Sequence, residues 1–136
     1  MMVAPLVLLV DDDPAVAQSV AFALETEGFR VRRYGSAEAL LEAVEDRVGE
    51  GAGLRAARCL VLDYHLPGLD GLALLNRLRA ASLAGGAILI TTHPRRGVCE
   101  DAARVGAVLL EKPLIGGALL EAVRDACGLS RLASEP

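Results

Sequence analysis

The chain has no tryptophan, two phenylalanines and two tyrosines in 136 residues. So thin an aromatic complement provides no platform on which nucleic-acid bases could stack. Its three cysteines, Cys59, Cys99 and Cys127, are odd in number and widely spaced. That excludes a disulfide framework and a cysteine-based metal site, and it predicts reduced, mostly buried thiols. No apolar run approaches the roughly 20 residues of a membrane span, and Met1-Met2-Val3 lacks the basic start of a signal peptide. A cytoplasmic protein with no membrane contact is expected. There is no basic stripe either, and with a net charge of −4 direct nucleic-acid binding is not expected. Lysine is scarcest of all. Of 14 basic residues all but one are arginines, and the exception is Lys112.

A hydrophobic content of 53% with 24% charged residues describes a globular chain of one domain, with a core large enough to fold unaided. Four short apolar runs end in residues that handle phosphate or metal. Leu6-Val7-Leu8-Leu9-Val10 ends in Asp11-Asp12-Asp13, and Leu60-Val61-Leu62 ends in Asp63. Ile88-Leu89-Ile90 ends in Thr91-Thr92, and Val108-Leu109-Leu110-Glu111 ends in Lys112-Pro113. The one compact ammonium of the chain therefore stands where a point charge suits a phosphoryl oxygen.

Apolar runs alternate with helical patterns five times. Strands are predicted at about 6–10, 29–33, 58–62, 87–91 and 107–110. Continuous apolarity marks the third as covered on both faces, and alternation marks the second as a half-exposed edge. Asp13, Ser36 and Asp70 are predicted helix caps, Pro14 a first helical residue and Gly28 a helix stop. The second helix is expected to carry Leu40, Leu41, Val44 and Val48, and the fourth to carry Val98, Ala102 and Val105. The last helix is expected over about 116–127, loosened in its first turn by Gly116-Gly117. Residues 49–57 read as a Gly/Ala-rich connector. Residues 1–127 form the predicted domain and 128–136 a loose tail.

Five βα units predict a doubly wound α/β fold: a five-stranded parallel sheet with helices on both faces. For strand order 2-1-3-4-5 the switch in order falls between strands one and three, where Asp11, Asp12 and Asp63 meet. Three crowded carboxylates raise pKa values and cost stability unless a cation is bound. Mg²⁺ is the natural occupant, being hard, octahedral and held by few carboxylates while keeping room for water and phosphate oxygens. Thr91 can donate to one phosphoryl oxygen and Lys112 can neutralise another.

These residues carry a family resemblance. Val10-Asp11-Asp12-Asp13, the stretch from Leu62-Asp63 to Asp70-Gly71, Ile90-Thr91 and Glu111-Lys112-Pro113 resemble a CheY-like response-regulator receiver domain of two-component signalling, over about residues 6–127. Strand order 2-1-3-4-5 is the flavodoxin-like order that this family shares. The resemblance implies that Asp63 accepts a phosphoryl group from a sensor histidine kinase or a histidine phosphotransfer protein. It implies direct Mg²⁺ ligation by Asp12, Asp63 and the His65 backbone carbonyl, with Asp11 acting through metal-bound water. Thr91 and Lys112 would hold phosphoryl oxygens, and the Lys112–Pro113 peptide would be cis.

Two positions depart from the family pattern. Leu109 stands where an aromatic usually reports the state of the threonine, and Thr92 replaces a smaller residue, narrowing the entrance. His65 and His93, each two residues beyond a site residue, rim the pocket as ordinary loop histidines or as modulators of the hydrolytic water. Signal output is expected through the fourth helix, fifth strand and fifth helix, with Val98, Ala102, Leu109 and Leu119 beside Arg95, Arg96 and Arg104. Homodimerisation or an output protein would use that face. A haloacid-dehalogenase-like phosphatase needs a second Asp where His65 stands, which argues against an enzyme acting on external substrates. A phosphate-independent adaptor, a relay intermediate and a phosphate sink are the other readings. No output domain follows, so the chain is expected to act alone or to be part of a longer regulator.

Overall fold

The computed structural model describes residues 4–46, 49–114 and 117–129. Alternation within each central strand organises it. In β1 (Leu6–Val10) the side chains of Leu6, Leu8 and Val10 enter one core and those of Val7 and Leu9 enter the other. In β3 (Cys59–Asp63), Leu60 and Leu62 oppose Cys59 and Val61 in the same way. In β4 (Gly86–Thr91), Ala87 and Leu89 oppose Ile88 and Ile90. Successive strand residues point to opposite faces, so a continuously apolar strand must be covered twice.

The covers are α1 (Pro14–Thr26) and α6 (Ala118–Ala126) on one face. On the other are α2 (Ala37–Glu45), α3 (Glu50–Leu54), α4 (Gly71–Ala80) and α5 (Arg96–Arg104). With β2 (Arg30–Tyr34) and β5 (Val108–Glu111) at the edges, the five strands are parallel in the order β2-β1-β3-β4-β5. This is the doubly wound arrangement that the alternation of elements predicts. Each fully buried leucine contributes about 2 kcal/mol of transfer free energy, and Leu8, Leu60, Leu74 and Leu75 are among those wholly enclosed.

The predicted caps hold. Asp13 accepts from the Ala15 and Val16 backbone N–H groups, Ser36 from Ala39 and Asp70 from Ala73. Gly28 follows α1 with φ +96°, a conformation that favours glycine. Strand bounds shift by a residue or so: Phe29 precedes β2 and is buried, while Arg30, Arg32 and Arg33 face solvent.

Three expectations need correction or lie beyond the described residues. The Gly/Ala-rich connector expected at 49–57 holds a helix that is not among those predicted: Glu50–Leu54 forms α3 and buries Leu54 against α2. Two glycines in five residues hid it, yet Gly51 is needed: a Cβ there would overlap the backbone carbonyl oxygens of Val44 and Asp46. Ala102 and Leu119 are 1% and 9% exposed, so neither belongs to the exposed surface where an output face is expected, since both helices turn these residues inward. Val48, Gly116 and residues 130–136 of the expected tail lie outside the described residues.

Gly71, the first residue of α4, packs directly on the turn that leaves β3. A Cβ there would come within 2.7 Å of the Asp63 carbonyl oxygen and 2.9 Å of the Tyr64 Cα. Both are backbone, so neither can swing aside. Gly71→Ala is expected to lower the unfolding free energy by about 1–3 kcal/mol. Gly53→Ala, in α3 with nothing within 4 Å, should instead gain about 0.5–1 kcal/mol. Urea denaturation of the two variants checks both signs.

Candidate functional site

The carboxyl ends of β1, β3, β4 and β5 meet at one edge of the sheet, and each delivers a functional group. Asp11 follows β1, its backbone N–H tied to the Tyr34 carbonyl at 3.2 Å. Its Oδ1 accepts the Asp13 backbone N–H at 2.9 Å. Asp63 ends β3, and its Oδ1 accepts the His65 backbone N–H at 3.1 Å. Asp11 and Asp63 are buried whereas Asp12 is exposed. Oxygens of Asp11, Asp12 and Asp63 lie within 4.8 Å of one another.

Lys112 closes β5, its backbone N–H bonded to the Thr91 carbonyl at 2.8 Å. Its ammonium stands between two carboxylates, 3.4 Å from Asp63 Oδ2 and 3.7 Å from Asp11 Oδ2. The peptide that follows, Lys112–Pro113, is cis. One cation facing three acids leaves the cluster net negative. Burial pushes the Asp11 carboxyl above the usual carboxylate range, and Asp63 and Asp12 push it further. The Asp13 N–H and Lys112 oppose that rise. A set of hard oxygen donors carrying uncompensated negative charge fits a divalent cation such as Mg²⁺.

Thr91 ends β4 and is wholly buried. Its Oγ1 accepts the His93 backbone N–H at 3.3 Å and meets His65 Nε2 at 3.0 Å. The His65 ring stands edge-on to Tyr64, with centroids 5.2 Å apart and planes at 79°. The two rim histidines thus differ: His65 engages Thr91 through its ring, and His93 through its backbone. Spacing along the chain could place both near the pocket, but the ring contact depends on the path of the β3–α4 loop and carries no sequence signal. Thr92 is exposed at a groove of about 490 Å³ that Val16, Ser19, Lys112 and Pro113 also line. Leu109 is half-buried, packed on the core on the α5 side of the sheet, and paired in register with Leu89.

A family model for the response regulator receiver domain matches residues 7–124. The chain is 38% identical over 123 residues to the transcriptional regulatory protein FixJ of Azorhizobium caulinodans, covering 90% of this chain and 54% of that protein. It spans about half the length of that relative. Among solved structures, FixJ-N is similar with a TM-score of 0.77 and 32% identity, over 93% of this chain and 96% of that one. A receiver domain protein from Clostridium thermocellum shares the fold, with a TM-score of 0.78 at 22% identity, over 91% of this chain and 94% of that one. Among the described residues no helix is long and apolar enough to cross a membrane.

The raised Asp11 pKa gives a stability prediction with a definite sign. Folded Asp11 holds its proton more tightly than unfolded Asp11, so its contribution to stability is lost as pH rises from about 4. Asp11→Asn keeps the oxygen that accepts from Asp13 and removes the charge. With chelator present at pH 7 it is expected to stabilise the fold by about 1 kcal/mol. The gain should shrink as pH falls toward about 4. Denaturation curves across that range check it, and equal stability of both proteins at pH 7 would contradict it.

Proposed function

This chain belongs to the response regulator receiver domain family, and from that premise we propose that it takes a phosphoryl group on Asp63 and uses it to switch a protein-binding surface. The observation that carries the proposal is the gathering of Asp11, Asp12 and Asp63 within 4.8 Å, with the Lys112 ammonium 3.4 Å from Asp63. Transfer of a phosphoryl group asks a protein mainly for positioning and charge neutralisation, and those are what this edge supplies.

The donor in this reading is the phosphohistidine of a sensor histidine kinase or a histidine phosphotransfer protein. An Asp63 carboxylate oxygen attacks phosphorus, the P–N bond breaks, and the imidazole leaves with its electron pair and takes up a proton. Asp12, Asp63 and the His65 carbonyl would hold Mg²⁺ directly, and Asp11 through water. Bound there, the ion neutralises charge on the transferring group. Lys112 faces a phosphoryl oxygen from the β5 side, and Thr91 supplies a hydroxyl from the β4 side. Thr92 and His93 shape the entrance through which water reaches the group.

Output would pass through the edge formed by α5 and β5, where Val98, Leu109 and Val108 lie beside exposed Arg95, Arg96 and Arg104. An output protein or a second copy of the chain would bind there, in the cytoplasm. Leu109 favours a second reading, a relay intermediate or phosphate sink, because an aliphatic side chain cannot swing a ring between buried and exposed positions. In both readings the protein promotes only its own phosphorylation and dephosphorylation.

With Mg²⁺ and acetyl phosphate the protein is expected to gain one phosphoryl group by intact-mass spectrometry, and Asp63→Asn to gain none. Undiminished labelling of Asp63→Asn would sink the assignment. Lys112→Arg keeps the charge but replaces a point by a planar fork. It is expected to slow labelling about tenfold or more, with the thermal midpoint little changed. A labelling rate equal to that of the unmodified chain would make Lys112 a bystander.

A further inference from the structure

The Thr91 hydroxyl is wholly buried, and a buried hydroxyl hydrogen needs an acceptor. Its oxygen takes the His93 backbone N–H at 3.3 Å, but that group is a donor and cannot receive the hydrogen. Among the described residues, the acceptor within hydrogen-bond distance is His65 Nε2 at 3.0 Å. With that nitrogen as the acceptor in reach, the pattern of contacts has Thr91 donate to Nε2 and the His65 ring carry a proton on Nδ1. Contact with the Tyr64 ring, edge-on at 5.2 Å, holds the imidazole in that orientation.

A hydroxyl has one hydrogen. The same hydrogen that Thr91 gives to His65 is the one a phosphoryl oxygen on Asp63 would take. We infer that His65 is a positioning residue that holds the Thr91 hydroxyl away from Asp63 in the resting protein, so that the phosphoryl group must win it by competition. The inference rests on the receiver reading and deepens it, since it names what restrains the switch where Leu109 provides no aromatic ring. Release of Nε2 frees the imidazole, and through the Tyr64 ring contact the change also reaches the β3–α4 loop. The coupling has a sign: whatever stabilises the Thr91–His65 bond opposes phosphorylation, and the phosphoryl group weakens that bond by the same factor.

Removing the side chain leaves the His65 backbone carbonyl in place, so the restraint is separable from metal binding. His65→Leu has no acceptor and is expected to bind beryllofluoride with Mg²⁺ about fivefold more tightly than the unaltered protein, the factor one modest hydrogen bond supplies. In the ligand-free state its Thr91 methyl signal should move toward the position seen with beryllofluoride. His65→Gln places an amide oxygen near the former Nε2 and should restore both the affinity and the methyl shift. A structural role alone would not be rescued in that way. Long-range ¹H–¹⁵N spectra of the unaltered, ligand-free protein should show the Nδ1–H tautomer at His65.

An Nε2–H tautomer would overturn the inference, as would a Leu variant with unchanged affinity and methyl shift, or one that binds more weakly. Failure of the receiver reading looks different. The unaltered protein would then neither take up a phosphoryl group nor bind beryllofluoride, and the tautomer and methyl signals of the resting state would still judge the restraint by themselves.

Discussion

Like charges held close together govern this molecule. Asp11, Asp12 and Asp63 lie within 4.8 Å of one another, and no arrangement of three carboxylates that tight is stable by itself. What keeps them there is the parallel sheet behind them. β1 and β3 are adjacent, in register from Val7–Cys59 to Val10–Leu62, and their ends are fixed by backbone bonds and two hydrophobic layers. The core is thus large and the site small. The free energy of the first imposes a geometry on the second that the site's own electrostatics oppose.

Among the described residues one cation faces the cluster, and its restraint is indirect. Lys112 is held by its backbone bond to Thr91, so the β4–β5 ladder fixes the point from which its side chain reaches the carboxylates. An arginine could supply the same charge, and the chain has many. A guanidinium, however, is planar, weakly hydrated and suited to paired oxygens. Two carboxylates from different strands, at 3.4 Å and 3.7 Å, present separate oxygens to a point.

Much of this was legible in the residues. Strands covered on both faces are continuous apolar runs, and β1, β3 and β4 read that way. Asp13, Ser36 and Asp70 act locally as caps, so their spacing to the next apolar stripe was enough. The carboxylates, Thr91 and Lys112 end strands, and parallel topology brings strand ends together. Other features depend on contacts far apart in sequence. α3 has the composition of a loop and is held by partners elsewhere, with Glu50 bonded to Arg32 and Tyr34. Burial and that bond push the pKa of the Tyr34 hydroxyl up to about 12. Ala102 and Leu119 sit on helices whose inward side follows from the rotation of each helix against the sheet. The bond from Thr91 to His65 depends on a loop path that no periodicity encodes.

The two edges of the sheet are chemically unequal. β2 lines one margin with Arg30, Arg32 and Arg33, and the outward charges make the addition of a further strand there unfavourable. β5 closes the other margin with four residues, among them the exposed Val108 and the half-buried Leu109 and Leu110. Backbone groups on that side carry little to repel a neighbouring chain except their shortness and the terminal Glu111. The sheet is therefore polar across its width: one margin is guarded by a row of charges, and the other by brevity and a single terminal carboxylate.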